Sequence, residues 1–327
     1  MSSILPTLNR IAHGVVGTIT ERRLLILIFH RVHRVTDELF DDEPDAARFD
    51  ALLTMLRNSF RVMTLGSAVA ALRDGSLPRR ALAITFDDGY ADNAVVALPL
   101  LQRHGLVATF FISTGFLDGA DCMWNDALIE AVRVAPVPEL DLHDLGLGLH
   151  PLRSMLDRRQ LIGTVLGHAK YLPPAERDRF VSIVRCRAGD SRPSPALMMT
   201  SDQVRALHRA KMEIGGHTMH HPILSSLGLD ACRQEINGGR ERLESIVDAP
   251  VDVFAYPNGR PLQDYDRRHV ELVKQLGFTA AVSTAPGAAS ARDDLFQLPR
   301  YTPWARSPAI WAARLFGNRL RTTCTTA

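Results

Sequence analysis

The sequence lacks several features, and each absence removes a class of protein. No apolar run approaches the ~20 residues of a membrane-spanning helix; the longest, residues 24–29 (LLILIF), is strand-sized. Net charge is nearly absent at +2, which leaves no global electrostatic case for nucleic acid. Cysteine is scarce. Cys122, Cys186, Cys232 and Cys324 are far apart and without zinc-finger spacing, so they are read as reduced thiols of a cytoplasmic protein. Residues 1–20 have no basic start followed by a continuous apolar core, so no secretory signal is expected. Internal repeats and low-complexity tracts are missing too. What remains is a chain of 327 residues with ordinary apolar content, long enough for one large α/β domain.

Strand and helix signals alternate along most of that length. Continuous apolar runs suit strands buried on both faces. They occur at 24–29, 81–86 and 107–113, with shorter candidates at 61–65, 212–216, 251–256, 279–284 and 296–300. Helical periodicity covers 46–60, 67–73, the stretch from 92 to 104, 201–209, 231–247 and 264–276. This alternation predicts a mainly parallel sheet, and seven or eight such units predict a distorted (β/α) barrel of about seven strands. Residues 119–199 interrupt the rhythm with helix-like pieces and no convincing strand. They read as a helical insertion in a single domain whose core spans about 24–304, able to form a wall over a site. Ile4, Leu5, Leu8, Ile11, Val15, Val16 and Ile19 predict an amphipathic helix over 3–20. It could pack on the protein's own core or touch a membrane surface. A last helix is expected over 308–320, with Arg314, Arg319 and Arg321 near its C-terminal end, where cations are stabilising.

Polar groups gather at the ends of the expected strands. Strand 81–86 runs into Asp87, Asp88 and Gly89. Neighbouring residues on a strand point to opposite faces, so two adjacent acids suggest a division of labour, one on a metal and one on a proton. The plain alternative is a turn with two solvated acids. His217 and His221 follow strand 212–216 through a glycine pair; one helical turn would put both imidazoles on one side, a spacing that suits two ligands of one metal. Tyr256 and Asn258 follow strand 251–256, Arg300 ends strand 296–300, and His30 ends strand 24–29. Five polar clusters thus stand at the C-terminal ends of five expected parallel strands, the rim on which barrel active sites are built.

The run TFDDGY at 85–90 together with HTMHHP at 217–222 resembles the polysaccharide deacetylase (NodB-homology) superfamily, carbohydrate esterase family four. The resemblance spans about 24–301, with 119–199 its least diagnostic part. It implies a distorted (β/α) barrel, a divalent metal (most often zinc) and hydrolysis of N-acetyl groups on amino-sugar glycans. By the same resemblance Asp87 stands where the catalytic base does, and Asp88, His217 and His221 stand where the metal ligands do. The oxyanion-binding N–H of the third motif falls at Asn258 or Tyr256. Two positions depart from the pattern. Ala255 stands where an arginine orients the base, and Arg300 stands where a histidine serves as general acid. A guanidinium stays protonated and cannot donate its proton at neutral pH. Arg300 is therefore expected to pair with Asp87 in place of the missing arginine. His30 becomes the candidate acid, or else a structural histidine beneath the rim.

The expected function is metal-dependent N-deacetylation of a polysaccharide, oligosaccharide or lipid-linked glycan, with an intracellular precursor of exopolysaccharide or cell-surface glycan as the expected kind of substrate. Two alternatives are hydrolysis of another non-peptide amide, such as a cyclic ureide, and an inactive glycan-binding module.

Overall fold

The first buried strand, β1 (Leu25–Phe29), is apolar at every position and buried at every position. It pairs in parallel with β3 (Ala81–Phe86), Leu25 opposite Leu82 and Phe29 opposite Phe86. Along its other edge β3 meets β2 (Arg61–Met63) and then β4 (Thr109–Ile112). From β4 the sheet continues through β7 (Glu213–Gly216), β8 (Val253–Ala255) and β9 (Ala280–Val282), all parallel, for seven strands in total. The computed structural model describes residues 22–119, 121–191, 193–194, 196–302, 308–320 and 325–327; the helix expected over 3–20 lies outside them.

The sheet curls, and the stretch after β9 joins its two ends. Leu298 bridges Val282, and three residues later Tyr301 bridges Leu27. The Leu298 N–H donates to the Ala281 carbonyl at 3.0 Å, and the Tyr301 N–H donates to the Ile26 carbonyl at 2.8 Å. The strand expected at 296–300 is thus corrected to a crossing segment. Pro299 has no N–H to give a ladder, and the chain passes from one neighbour to the other too quickly to form one.

Strand residues alternate between two cores, as the two-residue period requires. Leu25, Leu27, Phe29, Leu82, Ile84, Phe86 and Phe110 pack against the helices outside the sheet. Those helices are α1 (Ala46–Ser59), α3 (Leu98–His104), α7 (Ser201–Arg209), α8 (Leu229–Val247) and α9 (Arg267–Gln275). A π turn, Asn93–Ala97, leads into α3. Leu24, Ile26, Ala81, Ala83, Phe111, Val253, Ala255, Ala280 and Val282 form the second core with α2 (Leu65–Arg73). Asp87 follows Ala81, Ala83 and Thr85 in step, so β3 aims it to this inner side.

The insertion carries its own core. Helices α4 (Trp124–Val134), α5 (Met155–Ala169) and α6 (Pro174–Arg187) bury Leu128, Val132, Leu161, Val165, Phe180 and Val184 together. The reading without strands is corrected here. An antiparallel hairpin, β5 (Glu139–Leu142) and β6 (Gly148–Pro151), packs Leu140 and Leu142 against the helices while Glu139 and Asp141 face outward. Gly146 at φ 73° and Gly148 at φ 80° make its turn. Returning from the insertion, the chain is stitched to the loop after β3: the Ala91 N–H donates to Leu197 and the Met199 N–H to Gly89. Helix α10 (Pro308–Leu320) is the last described helix, and its span takes in Arg314 and Arg319; Arg321 lies outside the described residues. No helix among the described residues is long and apolar enough to cross a membrane.

Candidate active site

The strand β3 stops at Phe86, and the chain turns at once. Asp88 takes φ 77° and Gly89 φ 93°, both in the left-handed region. This turn resolves the difficulty of two neighbouring acids on one strand. Asp87 and Asp88 both line one cavity of about 380 Å³ at the C-terminal end of the sheet. Both are nearly fully buried. The Asp88 carbonyl accepts from the Ser113 N–H at the end of β4, which anchors the turn.

Asp88, His217 and His221 come together. Their donor atoms lie within 4.8 Å of one another. The Asp88 Oδ1 is 3.4 Å from both Nε2 atoms and, although buried, has no hydrogen-bond partner among the described residues. His217 Nδ1 lies 2.7 Å from the Ala255 carbonyl oxygen. A carbonyl only accepts, so Nδ1 carries a proton, and Nε2 is the nitrogen that faces Asp88. One carboxylate and two imidazoles, with an orphaned oxygen between them, fit a divalent cation of the zinc type. The helical turn expected to align the histidines is not there. Residues 217–221 are an irregular loop, with Thr218 at φ 66° and His221 at φ 53°. The alignment comes from those two left-handed residues.

The electrostatics follow from burial and proximity. Burial disfavours the Asp88 carboxylate, but His217 and His221 outweigh it and hold Asp88 well below the usual range. Burial likewise disfavours charge on His217, yet Asp88 and Asp87 carry its pKa upward. His221 goes the other way, with burial pulling it down to about 4.

Arg300, 1% exposed, grips Asp87 with both terminal nitrogens, Nη1 to Oδ1 at 2.6 Å and Nη2 to Oδ2 at 2.7 Å. Its Nε donates to the Ser283 carbonyl at 2.9 Å, and its Nη1 also reaches the Thr85 hydroxyl at 3.2 Å. Burial alone would raise the Asp87 pKa; the guanidinium beside it brings it below the ordinary value. His30 lines the same cavity. Asn258 does too, at φ 58°, and its N–H has no hydrogen-bond partner among the described residues. Its carbonyl accepts from the Thr284 hydroxyl at 2.9 Å, which pins the turn. Tyr256 does not reach the cavity, which corrects its place as an oxyanion candidate. It shares a strand face with Phe254, stacks on Tyr265 at 3.9 Å, and spends its N–H on the Val282 carbonyl.

A sequence profile of the polysaccharide deacetylase family matches residues 74–143 and 177–281, over half of the chain. The chain belongs to the polysaccharide deacetylase family. It is 21% identical over 254 residues to YxkH of Bacillus subtilis strain 168, covering 77% of this chain and spanning 62% of the length of YxkH. Among solved structures, the deacetylase PplD of Streptococcus pyogenes superposes with a TM-score of 0.61 at 18% identity, covering 91% of this chain and 99% of PplD. IcaB of Ammonifex degensii gives 0.56 at 17% identity, covering 91% and 98%. At such identities these two speak to the fold.

The fold brings further residues to the cavity that the sequence did not single out. From the insertion, α4 contributes Asn125, Asp126, Ile129, Glu130 and Arg133. The Tyr90 hydroxyl donates to Asp126 at 3.0 and 3.2 Å, and Arg31, bound to Asp92 at 2.8 Å, lies over the Tyr90 ring. Asp126 is 5% exposed, and burial, helped by the nearby Asp88, pushes its pKa up to about 7. The insertion therefore does wall the cavity. Asp126 carried no strand-end signal; it looks like an ordinary acid in the first turn of a helix.

Proposed function

We propose that this protein is a metal-dependent hydrolase that removes N-acetyl groups from an amino-sugar glycan, whether polysaccharide, oligosaccharide or lipid-linked. The observation that carries the reading is the Asp88–His217–His221 cluster with its orphaned buried oxygen, set beside a carboxylate that Arg300 fixes in place. Membership of the polysaccharide deacetylase family supports the same reaction class.

Asp88, His217 and His221 would hold the ion, zinc being the first candidate. A bound divalent cation supplies Lewis acidity toward the acetamide oxygen and lowers the pKa of water. Asp87 would act as general base. The Arg300 pair keeps it ionised and fixes its plane, so that it is ready to take a proton from an attacking water. The Asn258 N–H, without a partner among the described residues, would donate to the oxyanion as the carbonyl carbon becomes tetrahedral. Arg300 cannot protonate the departing nitrogen, because it stays charged and is engaged in the core. That proton falls to His30, the cavity histidine outside the cluster of three.

The test is acetate release from N-acetylglucosamine oligomers by the purified chain, together with its metal content. About one divalent ion per chain is expected, and Asp87→Asn should cut turnover roughly a hundredfold or more without losing the ion. A chain that binds no metal would sink the cluster assignment. Bound metal with no acetate release from any acetylated glycan would favour the glycan-binding alternative.

A further inference from the structure

His217 and His221 sit on a loop without regular structure, yet two ligands of one ion must hold their separation closely. The loop has few unsatisfied bonds. The Ser113 hydroxyl donates to the His217 carbonyl at 2.9 Å, and the His221 N–H donates to the Thr218 hydroxyl at 3.0 Å. The Thr218 and Met219 carbonyls accept from the Thr114 and Gly115 N–H groups. All of these partners lie within the loop or in the segment after β4.

The other side of the loop rests on α8, through one carboxylate. Glu235 Oε2 accepts from the Met219 N–H at 3.0 Å and from the His220 N–H at 2.8 Å. Its Oε1 lies 2.8 Å from His220 Nδ1, which must be the donor. Three bonds thus converge on a side chain that is only 18% exposed. Three glycines make room for this approach. A Cβ on Gly239 of α8 would stand 2.7 Å from the Thr218 carbonyl oxygen, and one on Gly238 would stand 2.6 Å from Met219 Sδ. A Cβ on Gly115, across the loop, would stand 2.6 Å from the His220 ring. The histidine loop is held between a bare helix face and a bare turn, and Glu235 is the polar clamp at the helix side.

We propose that Glu235 is a positioning residue for the metal site. By fixing Met219 and His220 it sets the separation and aim of His217 and His221, without touching the ion or the substrate. The inference rests on the metal-binding reading given above. It differs from a plain helix-to-loop staple in what it predicts, because a staple supports stability alone, whereas a positioning residue sets affinity and coordination geometry.

The test uses the full chain, with Zn²⁺ affinity measured by competition against a chromogenic chelator and coordination read from the visible spectrum of the Co²⁺-loaded protein. Glu235→Ala should weaken Zn²⁺ binding about 10–100-fold, the usual effect of losing an outer support, and should alter the Co²⁺ bands. Glu235→Gln keeps an oxygen for the two N–H groups and should stay within about threefold of wild type. If Glu235→Ala does not fold, Glu235→Asp, whose carboxylate stops one methylene short of the loop, should show the weakening. Wild-type affinity and an unchanged Co²⁺ spectrum in folded Glu235→Ala or Glu235→Asp would overturn the proposal, and so would a Glu235→Gln as weak as Glu235→Ala. A wild-type chain that binds neither ion overturns the metal-binding reading itself, and this inference falls with it.

Discussion

Two carboxylates that line the same cavity are treated in opposite ways. Asp87 is gripped by a buried guanidinium, whereas among the described residues Asp126 is hydrogen-bonded by the Tyr90 hydroxyl alone. Removing the cation from Asp87 leaves a buried charge uncompensated, so Arg300→Ala should cost roughly 3–5 kcal/mol, read as a shifted urea midpoint. Because the folded Asp87 pKa is lowered, the stability it contributes is present above its unfolded value and is lost as pH falls through the lower folded value. Arg300→Ala should therefore also move the acid limb of the kcat/KM profile to higher pH; an unmoved profile with intact turnover would separate Arg300 from Asp87 function. Asp126 has the reverse sign. Its folded pKa is raised to about 7, so its contribution is complete below the unfolded value and fades as pH rises through about 7. Wild-type Tm should fall between pH 5 and pH 8, and Asp126→Asn should flatten that fall by roughly 2–4 kcal/mol. Equal pH slopes in the two proteins would count against the assignment.

Helix and strand signals were legible wherever one periodicity acted alone. β1 and β3 are continuous apolar runs, and α7 has a capping box in which Thr200 and Gln203 bond reciprocally. They failed where geometry came from elsewhere. Four-residue spacing suggested a helical turn for His217 and His221, but the bonds that shape their loop come from Ser113, Thr114, Gly115 and Glu235, up to about a hundred residues away in sequence. The β5–β6 hairpin was missed because each strand has only four residues, too few for alternation to stand out among helices. The acid beside Arg300 could be named from the sequence; the acid beside Tyr90 could not, since only the packing of α4 over the cavity brings it there. Helix α8 supplies a prediction of its own. Alanine in place of a mid-helix glycine normally adds up to ~1 kcal/mol. At Gly239 the new methyl would meet the Thr218 backbone, which has no rotamer to yield. Gly239→Ala should instead lose about 1–3 kcal/mol in thermal unfolding, and a stabilised variant would mean that the loop gives way easily.

Across the whole molecule, the barrel rim collects groups from β1, β3, β7, the turn after β8 and the insertion around one cavity. Few of these elements are neighbours in sequence, so a ligand held among them ties the fold together. Zn²⁺ at a hundred times its dissociation constant should add about 2.7 kcal/mol to stability, seen as a higher Tm that a chelator reverses. A Tm indifferent to both metal and chelator would argue against an ion on Asp88, His217 and His221.

The short crossing after β9 has a consequence for the order of assembly. The stretch that bridges Val282 to Leu27 is also the stretch that carries Arg300 to Asp87, across a sequence separation of 213 residues. Ring closure and neutralisation of the buried acid are therefore one event. During synthesis, Asp87 has no guanidinium until residue 300 has emerged, and any intermediate with β1 and β3 already paired must leave that acid solvated or protonated. Contacts so distant in sequence form late and slowly. The acid proposed as general base is thereby kept out of its paired state until the last part of the barrel is in place.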